Sequence, residues 1–231
     1  MRILIAGGTG LIGRAFTREL VRAGHEVVLL TRRPTPTAAP GVTLLQWDGM
    51  VVPGGRRLVE DCGAVVNLAG QSIAGEDVGS ILFRRWTKAV KRDILGSRLR
   101  AGEALARIIE ASGGKPPVFL QASAVGYYGA DVRTPVDEQA PAGKDFLGRV
   151  CIAWEGSTAR LEGLGVRRVV LRTGVVLSPA GGVLPMVTLP FRLFAGGRLG
   201  DGRQPFPWIH LRDQVRAMRH LLEDETASGP F

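Results

Sequence analysis

Hydrophobic positions along the chain alternate between two rhythms. Short, almost continuous apolar runs of strand length occur at 2–6, 26–31, 42–47, 64–68, 118–122 and 166–172. Between them, apolar residues recur at helical spacing. In 11–23 the repeat is Leu11, Ala15, Phe16, Leu20 and Val21, and Gly24 ends it. A short helix is expected at 56–62 and a long one at 83–112, stopped by Gly113-Gly114-Lys115-Pro116-Pro117. Another spans 144–164, with Gly165 as its stop. Strands without polar alternation, separated by helices, predict an α/β fold: a doubly wound parallel sheet covered on both faces.

After Thr173 the pattern changes. Residues 174–182 read as loop, and 183–194 as a helix limited by Pro185 and Pro190. A glycine-rich excursion covers 196–207, a short extended piece 208–211 and a helix 212–224. Gly229-Pro230-Phe231 resembles the entrance to another strand. The expected division is a core at 1–174 and a small C-terminal lobe at 175–231.

Composition narrows the function classes. The two cysteines, Cys62 and Cys151, suggest neither a disulfide framework nor a zinc site, and the histidines His25, His210 and His220 show no metal spacing. No metal is expected. No apolar run reaches a membrane span and no leader peptide is visible, so the expected compartment is the cytoplasm. The net charge is +9, but the arginines are spread along the chain without interleaved aromatics. That sign fits attraction of anionic small molecules better than nucleic-acid binding.

The chemistry centres on the first turn. Strand 2–6 meets Gly7, Gly10 and Gly13 at G-x-x-G-x-x-G spacing, and a helix follows at once. One glycine permits the tight turn, the next lets backbone approach a phosphate, and the last lets helix pack on strand. The helix N-terminus adds free N–H groups and a positive dipole end. Gly7, Thr9, Gly10, Leu11, Ile12 and Gly13 are therefore expected to hold a dinucleotide pyrophosphate. The next strand ends Thr31-Arg32-Arg33, where an acidic residue would select NAD. Two guanidinium groups there favour the 2′-phosphate of NADP(H).

Further stretches close later strands: Asn67-Leu68-Ala69-Gly70 and Ala122-Ser123-Ala124-Val125-Gly126-Tyr127-Tyr128-Gly129. With the glycine turn they resemble the extended short-chain dehydrogenase/reductase superfamily. More narrowly, Arg85-Trp86-Thr87, Gly96-Ser97-Arg98, Trp154-Glu155, Arg172-Thr173-Gly174 and Phe206-Pro207-Trp208-Ile209-His210 resemble its atypical NAD(P)-dependent epimerase-like group, some of whose bacterial members are loosely labelled cell-division inhibitors. The resemblance implies a seven-stranded Rossmann core, NADP(H) and a small substrate lobe. It places Leu68, Ala69, Gly70, Arg98 and Ala122 at the cofactor, and Arg85, Trp86, Trp208 and His210 toward a small hydroxylated or carbonyl substrate. Members of the group continue into a C-terminal portion missing here, so the chain reads as truncated. A homodimer is left open.

The usual catalytic set of that superfamily is not carried over. A serine or threonine after the fifth strand normally works with a Tyr-x-x-x-Lys, whose lysine lowers the tyrosine's pKa. Aligned through Gly148-Arg149 and Glu155, those positions hold Leu147 and Cys151, and no Tyr-x-x-x-Lys exists in the chain. Ser123, Tyr127 and Tyr128 lie where an open parallel sheet binds ligands and become the catalytic candidates. Arg85, Arg98 or Arg172 could supply positive charge, and Glu138 or Glu155 could handle the proton instead. Cys151 reads as a small buried residue. Two functions follow: an NADP(H)-dependent oxidoreductase, epimerase or dehydratase, or an NADP(H)-binding sensor without turnover.

Overall fold

Arg2–Ala6 forms β1 because its apolar residues are buried on both faces. The computed structural model describes residues 1–32, 39–52, 54–73, 85–198 and 200–231. The parallel strands beside β1 are β2 (Glu26–Thr31), β3 (Val42–Gln46), β4 (Ala64–Asn67), β5 (Val118–Ala124) and β6 (Arg167–Thr173). Strand β7 (Val175–Leu177) and strand β8 (Trp208–His210) form a separate parallel pair. The last strand, β9 (Gly229–Pro230), rejoins the main sheet beside β6. The main sheet has seven strands in the order β3-β2-β1-β4-β5-β6-β9. Strand order reverses between β1 and β4, which is where such sheets open a crevice for ligands.

Helices cover both faces. On one side α1 (Leu11–Arg22) and a late helix, Leu211–Glu223, bury Phe16, Leu20, Val215 and Met218 against Ile3, Ile5 and Val66. On the other, α2 (Gly55–Glu60) and α3 (Lys88–Ala111) bury Leu58, Val59, Leu105 and Ile109 against Leu4, Val65 and Phe119. Helix α4 (Phe146–Gly156) follows β5, and α5 (Val183–Arg192) precedes the Leu211–Glu223 helix, α6. Both α6 and β9 belong to the doubly wound layers, although they lie within 175–231.

Several boundaries differ from the sequence reading, for local reasons. Helix α3 starts at Lys88 because the Thr87 side chain accepts from the Val90 N–H and caps it; residues 83 and 84 lie outside the described residues. The expected 144–164 helix is two pieces. Asp145 caps α4, and the chain tightens into a 3-10 stretch, Ala159–Leu164, after Thr158 leaves helical geometry (φ −121, ψ 1). Residues 174–182 are not all loop, because Val175–Leu177 finds Trp208–His210 as a pairing partner. Strand β5 runs two residues further than expected, to Ala124, in register with β6. The Gly229-Pro230 strand is present as the sequence suggested.

Candidate functional site

The three glycines of the first turn do three different things. Gly7 has φ +80, and a Cβ there would lie 2.6 Å from the Leu68 carbonyl and 2.8 Å from Ala69 N. Gly13 is pressed against the turn, since its Cβ would lie 2.5 Å from the Gly7 oxygen. Both are demanded by protein packing. Gly10 is not: its φ is −74, and a Cβ there would meet only the Gly7 oxygen at 3.5 Å, an ordinary contact. Gly10 faces open space at the start of α1, whose N-terminus has no side-chain cap. Thr9 is exposed beside it, with Leu11 and Ile12 half-buried. A concave backbone turn with free N–H groups suits a pyrophosphate.

The neighbouring strand ends complete the crevice. Thr31 is buried and Arg32 exposed at the end of β2, and Arg33 lies outside the described residues. Leu68 continues from β4, its N–H donating to the Ala6 carbonyl at 2.8 Å. The Asn67 side chain shapes the Leu68-Ala69-Gly70 turn by accepting from Ala69 N at 3.1 Å. It is held by Gln121, whose Oε1 accepts from Asn67 Nδ2 at 3.1 Å and whose Nε2 donates to the Ala122 carbonyl at 2.7 Å. Gln121 is a site-shaping residue that the sequence reading missed. Its signal was a fully polar side chain inside the otherwise apolar run Val118-Phe119-Leu120.

Arg98 reaches this turn from α3. It is 7% exposed, donates through Nη1 to the Gln71 and Ile94 carbonyls, and its guanidinium carbon sits 4.7 Å from the Trp154 ring centre. No ion pair neutralises it among the described residues. Burial holds its pKa below the ordinary guanidinium value.

Ser123, Tyr127 and Tyr128 come together beyond β5 around an arginine. Ser123 and Arg172 are register partners on β5 and β6. Ser123 Oγ donates to Glu155 Oε1 at 2.5 Å, and Arg172 grips the same carboxylate through Nε and Nη2, both at 3.0 Å. Arg172 Nη1 donates to the Tyr128 hydroxyl oxygen at 3.1 Å and to the Glu138 carbonyl at 3.0 Å. Its guanidinium carbon lies 3.4 Å from the Tyr127 ring centre, and the two tyrosine rings meet edge to face at 5.3 Å. Burial works to lower the Arg172 pKa, but the hydrogen bonds to Glu155 and Tyr128 outweigh it and carry the group above its ordinary value. Of the three arginines the sequence offered, Arg172 is the one at the tyrosines. Glu155 is the ion-pair partner of Arg172 across to β6.

Leu147 and Cys151 face the 3-10 turn Val125–Tyr128 from α4, since a Cβ on Gly126 would lie 3.3 Å from Leu147 Cβ and 3.9 Å from Cys151 Sγ. Burial pushes the Cys151 thiol up, which opposes a thiolate role. The substrate candidates are divided. Arg85 and Trp86 precede α3, both exposed, with Trp86 edge-on to Phe146 at 5.8 Å. Trp208 and His210 lie on β8, beyond β6; Trp208 is exposed, and His210 caps α6 by accepting from Arg212 N through Nδ1 at 3.2 Å.

Comparison with known proteins agrees with this geometry. The model of the NAD dependent epimerase/dehydratase family matches residues 3–230. Epimerase family protein SDR39U1 of Bos taurus is 40% identical over 230 residues, 99% of this chain and 72% of its own. Epimerase family protein YfhF of Bacillus subtilis is 36% identical over 100% of this chain and 73% of its own. A crystal structure of human SDR39U1 (isoform 2) with NADPH superposes with TM-score 0.82 at 36% identity, covering all of this chain and 72% of that one. Among the described residues no helix is long and apolar enough to cross a membrane. Sheet order, glycine turn and family match agree, and the chain belongs to the NAD-dependent epimerase/dehydratase family.

Proposed function

We propose that the protein is an NADP(H)-dependent enzyme of the epimerase, dehydratase or reductase type, acting on a small hydroxylated or carbonyl substrate. The observation that carries this reading is Gly10. Packing explains why Gly7 and Gly13 lack side chains, whereas a Cβ at Gly10 would make only an ordinary 3.5 Å contact with the Gly7 oxygen, at an uncapped helix end. A pyrophosphate fits there. Gly7, Thr9, Gly10, Leu11, Ile12 and Gly13 would hold it, with Leu68, Ala69, Gly70, Arg98 and Ala122 along the rest of the dinucleotide. Thr31, Arg32 and Arg33 would receive the 2′-phosphate, a choice supported by the NADPH bound to human SDR39U1.

When bound, NADP(H) supplies or accepts a hydride. The protein's own contribution is to place the substrate oxygen near Ser123, Tyr127 and Tyr128 and to move a proton there. Ser123 directs its only proton to Glu155, so its oxygen can accept from a substrate hydroxyl but offers no proton to a carbonyl oxygen. Arg85, Trp86, Trp208 and His210 would contact the substrate.

Isothermal titration with NADPH and NADH, followed by NADPH fluorescence on addition of a mixture of small carbonyl compounds, tests the reading. Tighter NADPH binding and steady oxidation are expected. The second reading, an NADP(H) sensor without turnover, is favoured by Leu147 and Cys151 standing where a tyrosine and lysine would stand. Saturable binding with no oxidation would select it.

A further inference from the structure

The site carries two buried guanidinium groups, and they differ in how their charge is met. Arg172 is matched by Glu155, with Nη2 to Oε2 at 3.0 Å. Arg98 has no carboxylate partner among the described residues. Its Nη1 donates to two neutral acceptors, the Gln71 carbonyl at 3.1 Å and the Ile94 carbonyl at 3.0 Å. Its guanidinium carbon lies 4.7 Å from the Trp154 ring centre, a contact that attracts the cation without cancelling its charge. Arg98 nonetheless stays charged, since an arginine does not lose its proton in a protein. The sheet order locates this charge. The glycine turn follows β1, with β2 and its Thr31-Arg32 end on one side and β4 on the other. Arg98 packs on the turn after β4: a Cβ on Gly70 would lie 3.1 Å from its guanidinium carbon, and Ser97 Oγ accepts from Gln71 N at 3.0 Å. Trp154 carries the contact on to α4, where Cys151, one turn earlier, donates through Sγ to the Ala124 carbonyl at the end of β5. A dinucleotide with its adenosine over β2 has its nicotinamide half over β4 and β5, on the Arg98 side.

We infer that Arg98 makes the cofactor site selective for the reduced form, so that NADPH binds more tightly than NADP+. The inference rests on the cofactor reading above and does not require turnover. The two forms carry the same 2′-phosphate, the same pyrophosphate and the same riboses. They differ by one hydride, and so by one positive charge on the nicotinamide ring. A fixed cation beside that ring repels the oxidised form and leaves the neutral reduced form unopposed. Arg172 adds little to this difference, because Glu155 cancels its charge at two points. Repulsion between two unit charges weakens with distance and with solvent around them; in a site partly open to water it changes the ratio of the two affinities by about tenfold. Both readings above have a use for such a preference. A reductase releases NADP+ more readily once the hydride has passed to the substrate carbonyl carbon. A sensor reports NADPH in the presence of NADP+.

Isothermal titration of the protein with NADPH and with NADP+ reads the ratio directly. NADPH should bind about tenfold more tightly. Arg98→Lys keeps the charge and should keep most of the ratio. Arg98→Met removes the charge and should bring the two affinities within about twofold of each other. The change should come from weaker NADPH binding with NADP+ nearly unmoved, because the oxidised form loses a contact and a repulsion together. Binding of 2′,5′-ADP, which lacks the nicotinamide half, should be alike in all three proteins and shows that each is folded. Should Arg98→Met fail to fold, Cys151→Asp asks the same question by adding a carboxylate one turn from Trp154, and should likewise narrow the ratio. Equal affinities in the wild type would overturn the inference and leave the cofactor site standing. So would a ratio that is lost in Arg98→Lys, or one that survives Arg98→Met or Cys151→Asp while 2′,5′-ADP still binds. Absence of binding by either form would remove the cofactor reading itself.

Discussion

Arg172 and Glu155 form a two-pronged ion pair that joins β6 to α4, with Nε–Oε1 and Nη2–Oε2 both at 3.0 Å. Their side chains are 6% and 12% exposed. Removing one partner of such a pair leaves the other charge buried alone, which costs about 3–5 kcal/mol. Glu155→Ala should therefore destabilise the fold by roughly that amount in urea unfolding. Ser123→Ala removes one hydrogen bond to a carboxylate that keeps its arginine, and should cost less, about 1.5–3 kcal/mol. Equal losses in the two variants would show that the pair is not what holds these elements together.

The glycine turn offers a sharper contrast. Gly10→Val adds a side chain where a Cβ meets only the Gly7 oxygen, at 3.5 Å, so the variant should keep its circular dichroism and lose only the small stability that a valine N-cap costs. Its NADPH affinity should fall below detection by calorimetry, because the branched side chain fills the phosphate position. Gly13→Val puts a Cβ 2.5 Å from the Gly7 oxygen and should compromise folding itself. A Gly10→Val protein that binds NADPH normally would remove the basis for the site.

Most of the architecture was legible because it rests on local signals. Continuous apolar runs mark doubly buried strands, and Gly7, Gly10 and Gly13 mark the turn between strand and helix. What stayed hidden depends on contacts between distant residues. Nothing at Val175-Val176-Leu177 announces a strand until Trp208-Ile209-His210 lies beside it. The Ser123–Glu155–Arg172 cluster draws its members from β5, α4 and β6, so sequence spacing cannot separate Arg172 from Arg85 or Arg98 as the cation at the tyrosines. The same limit explains Gln121, whose role appears only when Asn67 is 3.1 Å away.

Gln121 tests that last contact. Gln121→Leu keeps the volume but leaves Asn67 Nδ2 buried without its acceptor, a cost of about 1–3 kcal/mol. Because Asn67 also fixes the Leu68-Ala69-Gly70 turn, NADPH affinity should weaken together with stability. Thermal melting with and without NADPH measures both, and unchanged NADPH stabilisation would separate the amide from the site.

In the proposed reading, cofactor choice rests with the residues that end β2 and follow it. Charge-assisted hydrogen bonds to a phosphate contribute about 1.5–3 kcal/mol each. Replacing Arg32 and Arg33 together by alanine should thus reduce the preference for NADPH over NADH at least tenfold, through weaker NADPH binding alone. A double variant that retains its selectivity would place the 2′-phosphate contact elsewhere.

Arg98 gives the most discriminating case, because a structural role and a cofactor role predict different patterns. The guanidinium is 7% exposed and only its Nη1 has hydrogen-bond partners among the described residues, the Gln71 and Ile94 carbonyls. A buried charge with no counter-charge is destabilising, by several kcal/mol in real proteins. Its stack on Trp154 offsets part of this. Its position beside Gly70, whose Cβ would come within 3.1 Å of the Arg98 guanidinium carbon, puts it at the end of β4 rather than at the adenine side near Arg32. If Arg98 serves the nicotinamide half of the dinucleotide, Arg98→Met should weaken NADPH about tenfold, the loss of one charge-assisted contact. Binding of 2′,5′-ADP, which lacks that half, should be unaffected, and Arg98→Lys should recover part of the NADPH affinity. Parallel losses for both ligands would mean that Arg98 acts by packing the α3–α4 interface. Unchanged affinity for both would remove Arg98 from the cofactor site.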